Sequence, residues 1–373
     1  MTYERYAFRD PGVRLDNVKI PYSSGEAVIP VFDYPITPRE NFIRAMKRDK
    51  PLWAPNTLNE MQSIGAQDVV TERVRGRLIH TDFRNKVEGE ETFIDWFGSS
   101  WTWERTAGGP MLTPGTKVLE DIADWDRDIV WPSLSEWDFE DTAARFMKDE
   151  YMPEKALNID LGRGVTERMI SLVGGYTEGM LSFATEPEAV KAFNDRFAEH
   201  VIGLVDKLCA LYPVNVFTYH DDWGTERDTF FSEKMMEDLV FEPTKRIIDH
   251  IHSKDVSFIL HTCGNITRFV PYTIDFHADM LQIQRRAVDI PAIKRKYGNA
   301  IGINSGLEGL EFGMEASDEQ IRDFVKSTVD LYAPTGGYLA SMMFMGDQER
   351  LWHSLSELYA YSREFYDNEQ GRS

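Results

Sequence analysis

From about residue 155 onward, short apolar runs alternate with longer stretches of helical period. Ala156 to Leu161 reads as a strand that ends in Gly162-Arg-Gly164. Thr166 to Leu172 is helical, and Glu186 to Leu211 carries one or two longer helices. Val214 to His220 is strand-like and runs into acidic residues. Ser232 caps a long helix to His252, and Val256 to Leu260 is the next strand. Asp279 to Gln284 reads as a strand, Ile290 to Tyr297 as a helix, and Ala300 to Asn304 as a strand again. Ser317 caps a helix through Tyr332. Gly337 to Met342 is the last strand, and Asp347 to Tyr366 the last helix.

Short strands separated by helices imply parallel strands with helical crossovers. Several of these strands end in polar or reactive residues: Asp160, His220 to Asp222, His261 with Cys263, Gln282 with Gln284, and Asn304. In a parallel barrel the C-terminal strand ends share one mouth, where catalysis sits. The spacing therefore points to an α/β barrel. A doubly wound sheet is the alternative, but Gly162-x-Gly164 lacks the third glycine of a nucleotide loop.

The N-terminal part is less regular. Residues 1 to 37 read as an irregular arm. Pro38 to Arg48 is helix-like, with Thr37 as N-cap and Glu40 three residues later. From 51 to 135 the chain has short apolar pieces, many Gly and Pro, and the five tryptophans Trp53, Trp96, Trp101, Trp103 and Trp125. This stretch reads as hairpins and loops that cover a site. We expect a single domain over 1–373.

Composition narrows the partners. Among 373 residues, 42% are hydrophobic, enough for a large core. The formal net charge is -21, which repels phosphate backbones and argues against nucleic-acid binding. No apolar stretch approaches a membrane span, and Met1 to Asp10 lacks a secretory core, so a soluble cytoplasmic protein is expected. The two cysteines, Cys209 and Cys263, offer no disulfide framework. Cys209 lies in an amphipathic run and reads as helix core.

Cys263 is different. In Phe258-Ile-Leu-His-Thr-Cys-Gly-Asn-Ile266 an apolar strand ends with His261 and Cys263 two apart. Residues two apart on a strand share a face, so an imidazole and a thiol project together. That is a donor pair zinc prefers. A buried Cys packed beside a hydrogen-bonded His is the plain alternative. The loop His220-Asp221-Asp222-Trp-Gly224-Thr-Glu226-Arg227 follows the neighbouring strand. Its carboxylates could complete a metal site, orient His261, act as acid or base, or simply cap the turn.

Taken together, several segments resemble the uroporphyrinogen decarboxylase superfamily, which includes cobalamin-dependent methyltransferases. They are Pro38-Arg-Glu-Asn-Phe-Ile-Arg-Ala-Met46 with Lys50-Pro51, Asp95-Trp-Phe-Gly98, and Asp221-Asp-Trp-Gly-Thr225 leading to Phe231-Ser232. His261-Thr-Cys-Gly-Asn265, Lys296-Tyr-Gly298 and Gly336-Gly-Tyr338 complete the set. The resemblance spans about residues 37 to 366 and implies a (β/α)8 TIM barrel with insertions over the C-terminal face.

The decarboxylases carry an Arg-rich stretch that is missing after Lys50-Pro51. The His-x-Cys matches the methyltransferase branch, where such a pair holds zinc. That branch, when it uses coenzyme M, supplies a third cysteine after the last strand. Here Gly337-Tyr-Leu-Ala-Ser-Met-Met-Phe-Met345 has none. The resemblance therefore implies an enzyme that demethylates a small methylated substrate, an O-methyl aromatic, and hands the methyl to a corrinoid on a separate protein. No Asp-x-His-x-x-Gly cobalamin motif occurs in this chain.

The expected catalytic residues are Asp222, Glu226 and His261, and the expected metal ligands His261, Cys263 and Glu226. Trp96, Trp101, His220, Asn304, Met342 and Met343 are expected to bind substrate. Porphyrinogen decarboxylation, and a non-catalytic binding protein on the same barrel, are the other readings. Leu351, Leu355 and Tyr359 of the last helix read either as core or as a homodimer face.

Overall fold

A computed structural model describes residues 2–19, 26–66, 69–70, 79–80, 92–104, 109–135, 139–307, 316–342 and 347–371. The arm read as irregular contains a hairpin, β1 (Arg14–Lys19) against β2 (Glu26–Val31). Partial alternation shapes it: Val18, Ala27 and Ile29 are buried while Asn17, Glu26 and Val28 are more open.

The stretch 51–135 divides between two structures. β3 (Met61–Ala66) is a barrel strand rather than part of the cover. Its sequence, MQSIGA, shows little apolar signal because it belongs to a partly polar barrel interior. β4 (Val69–Val70), β6 (Thr92–Asp95), β7 (Ser100–Glu104) and β8 (Gly109–Leu112) form a separate antiparallel sheet; β5 (Ile79–His80) pairs with β3. Helix Phe139–Asp149 follows, which sequence spacing did not single out.

The barrel continues with β9 (Ala156–Leu161), β10 (Val216–His220), β11 (Ser257–Thr262), β12 (Met280–Ile283), β13 (Gly302–Gly306) and β14 (Tyr338–Ser341). Together with β3 they form seven parallel strands in sequential order. The Thr57 N–H donates to Ala340 O at 3.1 Å, and the Ala340 N–H to Pro55 O at 2.8 Å. These bonds join β14 to the chain entering β3. The fold is thus the expected α/β, TIM-barrel-like one.

Two layers fill the interior. At the N-terminal end Phe42, Ala45 and Met46 of helix Pro38–Met46 pack on Met61, Ala156, Val216, Ile259, Met280 and Leu339. This apolar plug seals the bottom. Above it the same strand faces turn polar. The Thr218 hydroxyl donates to Asn158 Oδ1 at 2.9 Å, and Asn158 Nδ2 to Ser63 Oγ at 3.1 Å.

Outside the barrel, the helix read as Ser232 to His252 contains a wide turn over Met236–Val240 before Phe241–Ser253. Pro243 explains it. Proline lacks an N–H and its ring crowds the carbonyl four residues back. That carbonyl, Leu239 O, accepts instead from Asn194 Nδ2 at 2.9 Å. Leu351, Leu355 and Tyr359 are core residues, and Tyr359 stacks on Phe32 at 4.3 Å. Among the described residues no helix is long and apolar enough to cross a membrane.

Two measurements check this packing. Asn194→Ala strands the Leu239 carbonyl and should lower stability by about 1–3 kcal/mol in urea unfolding. Burial pushes the Glu60 carboxyl from 4.5 to about 7, so the folded chain holds a proton that the unfolded chain has released. Its stabilisation is complete below pH 4.5 and is lost as pH rises through 7. Unfolding midpoints should therefore fall over this range. Glu60→Gln should flatten the fall, by up to about 3 kcal/mol.

Candidate active site

The register of three neighbouring strands assembles the site. His220 of β10 lies opposite His261 of β11, which lies opposite Gln282 of β12. In parallel strands opposed residues share a face, so all three project into the mouth. The His220 and His261 rings stand 4.5 Å apart. His261 Nδ1 is 2.7 Å from Gln282 Oε1. An amide oxygen only accepts, so Nδ1 carries the proton and the Nε2 lone pair is free.

That lone pair faces two more donors. Cys263 Sγ is 3.4 Å from His261 Nε2, and Asp222 Oδ1 is 3.7 Å from it. One ligand atom from each of Asp222, His261 and Cys263 lies within 4.8 Å of the others. Backbone geometry fixes this arrangement, because the Cys263 N–H donates to Asp222 Oδ1 at 2.7 Å. Gln284 Nε2 lies 3.3 Å from the sulfur, and its Oε1 accepts from the Gly264 N–H.

The loops after β10 and β11 touch backbone to backbone. Gly264 has φ +83°, and a Cβ there would stand 2.1 Å from Gly224 O. Only glycine admits both the left-handed conformation and the approach.

The adjacent acids Asp221 and Asp222 diverge. Asp221 is buried and accepts from the Glu167 N–H at 2.9 Å, the Thr166 N–H at 3.3 Å and Trp223 Nε1 at 2.9 Å. It caps helix Val165–Val173, where N–H groups and the helix dipole favour a carboxylate. Gly164 permits the contact, since a Cβ would meet Asp221 Cβ at 2.4 Å. Asp222 is left to face the mouth.

Electrostatics follow burial. Desolvation, with the neighbouring His220 ring second, pushes His261 down to about 4, so its imidazole is neutral at physiological pH. Burial and then Asp222 hold the Cys263 thiol far above its ordinary range. Burial raises Glu167 to about 8 despite Arg163, whose Nη1 is 3.2 Å from its Oε1. The Arg163 guanidinium stacks on the Trp101 ring at 3.7 Å.

A profile of the family described as Uroporphyrinogen decarboxylase (URO-D) matches residues 139–343, more than half of the chain and all of the triad. The chain belongs to the uroporphyrinogen decarboxylase family. No curated protein sequence matches it. Among solved structures, a methyltransferase from Methanosarcina mazei matches with a TM-score of 0.61 at 14% identity, over 89% of this chain and 99% of that one. That likeness is one of fold. A D-psicose 3-epimerase with D-fructose, at 12% identity, covers 58% of this chain and 78% of its own with a TM-score of 0.27, which bears no argument.

In this uroporphyrinogen decarboxylase family member the expected residues separate. Asp222, His261 and Cys263 converge, with His220 beside them. Glu226 is exposed and outside the converging set. Trp96 is buried and lines a small cavity with Phe97, Leu161, Arg163 and His200. Trp101 donates from Nε1 to Asp95 Oδ2 at 2.9 Å. Met342 is buried in the core, Asn304 faces the barrel interior beside Gln282, and Met343 lies outside the described residues. Gln282 and Gln284 were visible only as polar strand ends; their pairing with His261 and Cys263 needed the register. Glu167 gave no signal, since its burial comes from the loop after β10.

A second cluster, Asp318, Glu349 and His353, also brings ligand atoms together. There Arg322 Nη2 stands 3.2 Å from His353 Nδ1. A guanidinium only donates, so the imidazole proton sits on Nε2, facing the carboxylates. That tautomer turns an N–H rather than a lone pair toward Asp318 and Glu349, which disfavours a metal there.

Gly264→Ala should destabilise the protein by about 2–4 kcal/mol, from strain and overpacking, as measured in urea.

Proposed function

We propose that this chain is a metal-dependent methyltransferase component. In this reading it removes the methyl group from a small O-methyl aromatic and passes it to a corrinoid carried by a separate protein. The observation that carries it is the convergence of His261 Nε2, Cys263 Sγ and Asp222 Oδ1 at the mouth of the barrel. The fold shared with a methyltransferase supports the same branch.

The donors suit zinc. Around a tetrahedral ion with zinc–nitrogen, zinc–oxygen and zinc–sulfur bonds, ligand atoms stand roughly 3.3–3.6 Å apart. The present separations from Nε2 are 3.4 Å to sulfur and 3.7 Å to oxygen. Asp222 stands where a third protein ligand is needed, in place of the Glu226 expected from sequence. Three protein ligands leave one position for substrate, as in catalytic zinc sites.

The chain's own groups have definable tasks. His261, Cys263 and Asp222 would hold the ion, and Gln282 keeps Nε2 available to it. When bound, zinc supplies Lewis acidity that eases departure of a poor oxygen leaving group. Glu167, protonated at neutral pH, lies within electrostatic reach of Asp222 and Cys263 and can supply a proton to the departing oxygen. Porphyrinogen decarboxylation has less support. Asp221 spends its hydrogen bonds on the helix cap, and the mouth presents carboxylates to a polycarboxylate substrate.

Protein purified without a histidine tag should carry about one zinc per chain by plasma mass spectrometry. His261→Ala, Cys263→Ser and Asp222→Ala should each lose most of it. Gln282→Leu should weaken zinc affinity by about 10–100-fold in chelator competition, because the imidazole loses its orienting partner. Zinc-loaded enzyme with methoxylated aromatics and reduced cobalamin should form methylcobalamin. No product across a broad panel would count against the reading.

A further inference from the structure

The polar layer at the top of the barrel is unevenly satisfied. Asp160 of β9 is 1% exposed. Its Oδ1 accepts from Asn158 Nδ2 at 3.0 Å and stands 3.5 Å from His220 Nε2. Its Oδ2 is buried with no protein partner among the described residues. Asn304 of β13, directly opposite Gln282 in register, is also 1% exposed. Neither its Oδ1 nor its Nδ2 has a protein partner among the described residues.

Each unpartnered buried group costs about 1–3 kcal/mol, and folded proteins leave few of them. Here two side chains of the barrel interior bear that cost. Strand order puts β10, β11 and β12 between them, so they flank His220, His261 and Gln282 on both sides. Their position beside the triad indicates a ligand that completes them.

The unspent atoms define its chemistry. A carboxylate oxygen needs a donor, and an amide offers one donor group and one acceptor. A ligand hydroxyl can give its proton to Asp160. A ligand carboxylate cannot, and it would also meet Asp222 and the buried Asp160 charge. An ether with no hydroxyl leaves the carboxylate unsatisfied.

We propose that Asp160 and Asn304 bind the substrate and select a neutral, hydroxyl-bearing methyl ether over ethers without a hydroxyl and over carboxylated ones. The inference rests on the methyl-ether reading above. The hydroxyl donates to Asp160 Oδ2, and the Asn304 amide bonds the polar edge on the opposite side of the ligand.

Titration calorimetry on the zinc-loaded protein tests it, with the three methoxyphenol isomers, methoxybenzene and the methoxybenzoates as probes. At least one methoxyphenol should bind about tenfold or more tighter than methoxybenzene and every methoxybenzoate. Asp160→Ala should erase most of that preference and Asn304→Ala should weaken every probe several-fold, both with zinc content unchanged. Should Asp160→Ala fail to fold, Asp160→Asn keeps the volume and should relax the exclusion of methoxybenzoates. Equal binding of phenol and plain ether overturns the proposal, as does a preference that survives both variants or no binding by any probe. Preferential binding without methyl transfer to reduced cobalamin would overturn the activity reading and leave this one standing.

Discussion

The parallel register of β10, β11 and β12 is the constraint on which the site depends. It sets His220, His261 and Gln282 side by side on one face. A slip of one residue would turn His261 into the outer shell and bring Leu260 inward, because the side-chain period of a strand is two. The apolar plug at the barrel bottom resists that slip. Ile259 and Met280 occupy the same faces two residues earlier and pack under helix Pro38–Met46. Burial at one end thus fixes the chemistry at the other.

Close backbone approach does the remaining positioning. Gly164 lets Asp221 reach the start of helix Val165–Val173, and Gly264 lets the loops after β10 and β11 meet. With Asp221 committed to a cap, Asp222 faces the mouth and accepts from the backbone beside Cys263. One acid secures the scaffold, and its neighbour serves the site.

Burial in the mouth disfavours ionised side chains. Burial raises Glu167 and the Cys263 thiol, and lowers His261. A neutral imidazole and a thiol poised above a carboxylate form a set that a cation can organise, since a metal ligates the deprotonated sulfur and the free ring nitrogen. Members of a family can keep the barrel and change the chemistry by altering such side chains.

Much of this was legible in the chain. Alternating strands and helices from residue 155 determined the barrel, because each crossover must bury an apolar face. The strand-end residues His261 and Cys263 were visible through the two-residue period, which is local. The helix caps Thr37, Ser232 and Ser317 were local as well, and each caps as expected. β3 was hidden because its inward residues Met61, Ser63 and Gly65 do not form an apolar run. The choice of Asp222 over Glu226 beside His261 and Cys263, the tautomer set by Gln282, and the burial of Glu167 depend on contacts across separate strands and loops. Linear spacing carries no distance between such segments, so only the closed tertiary structure decided them.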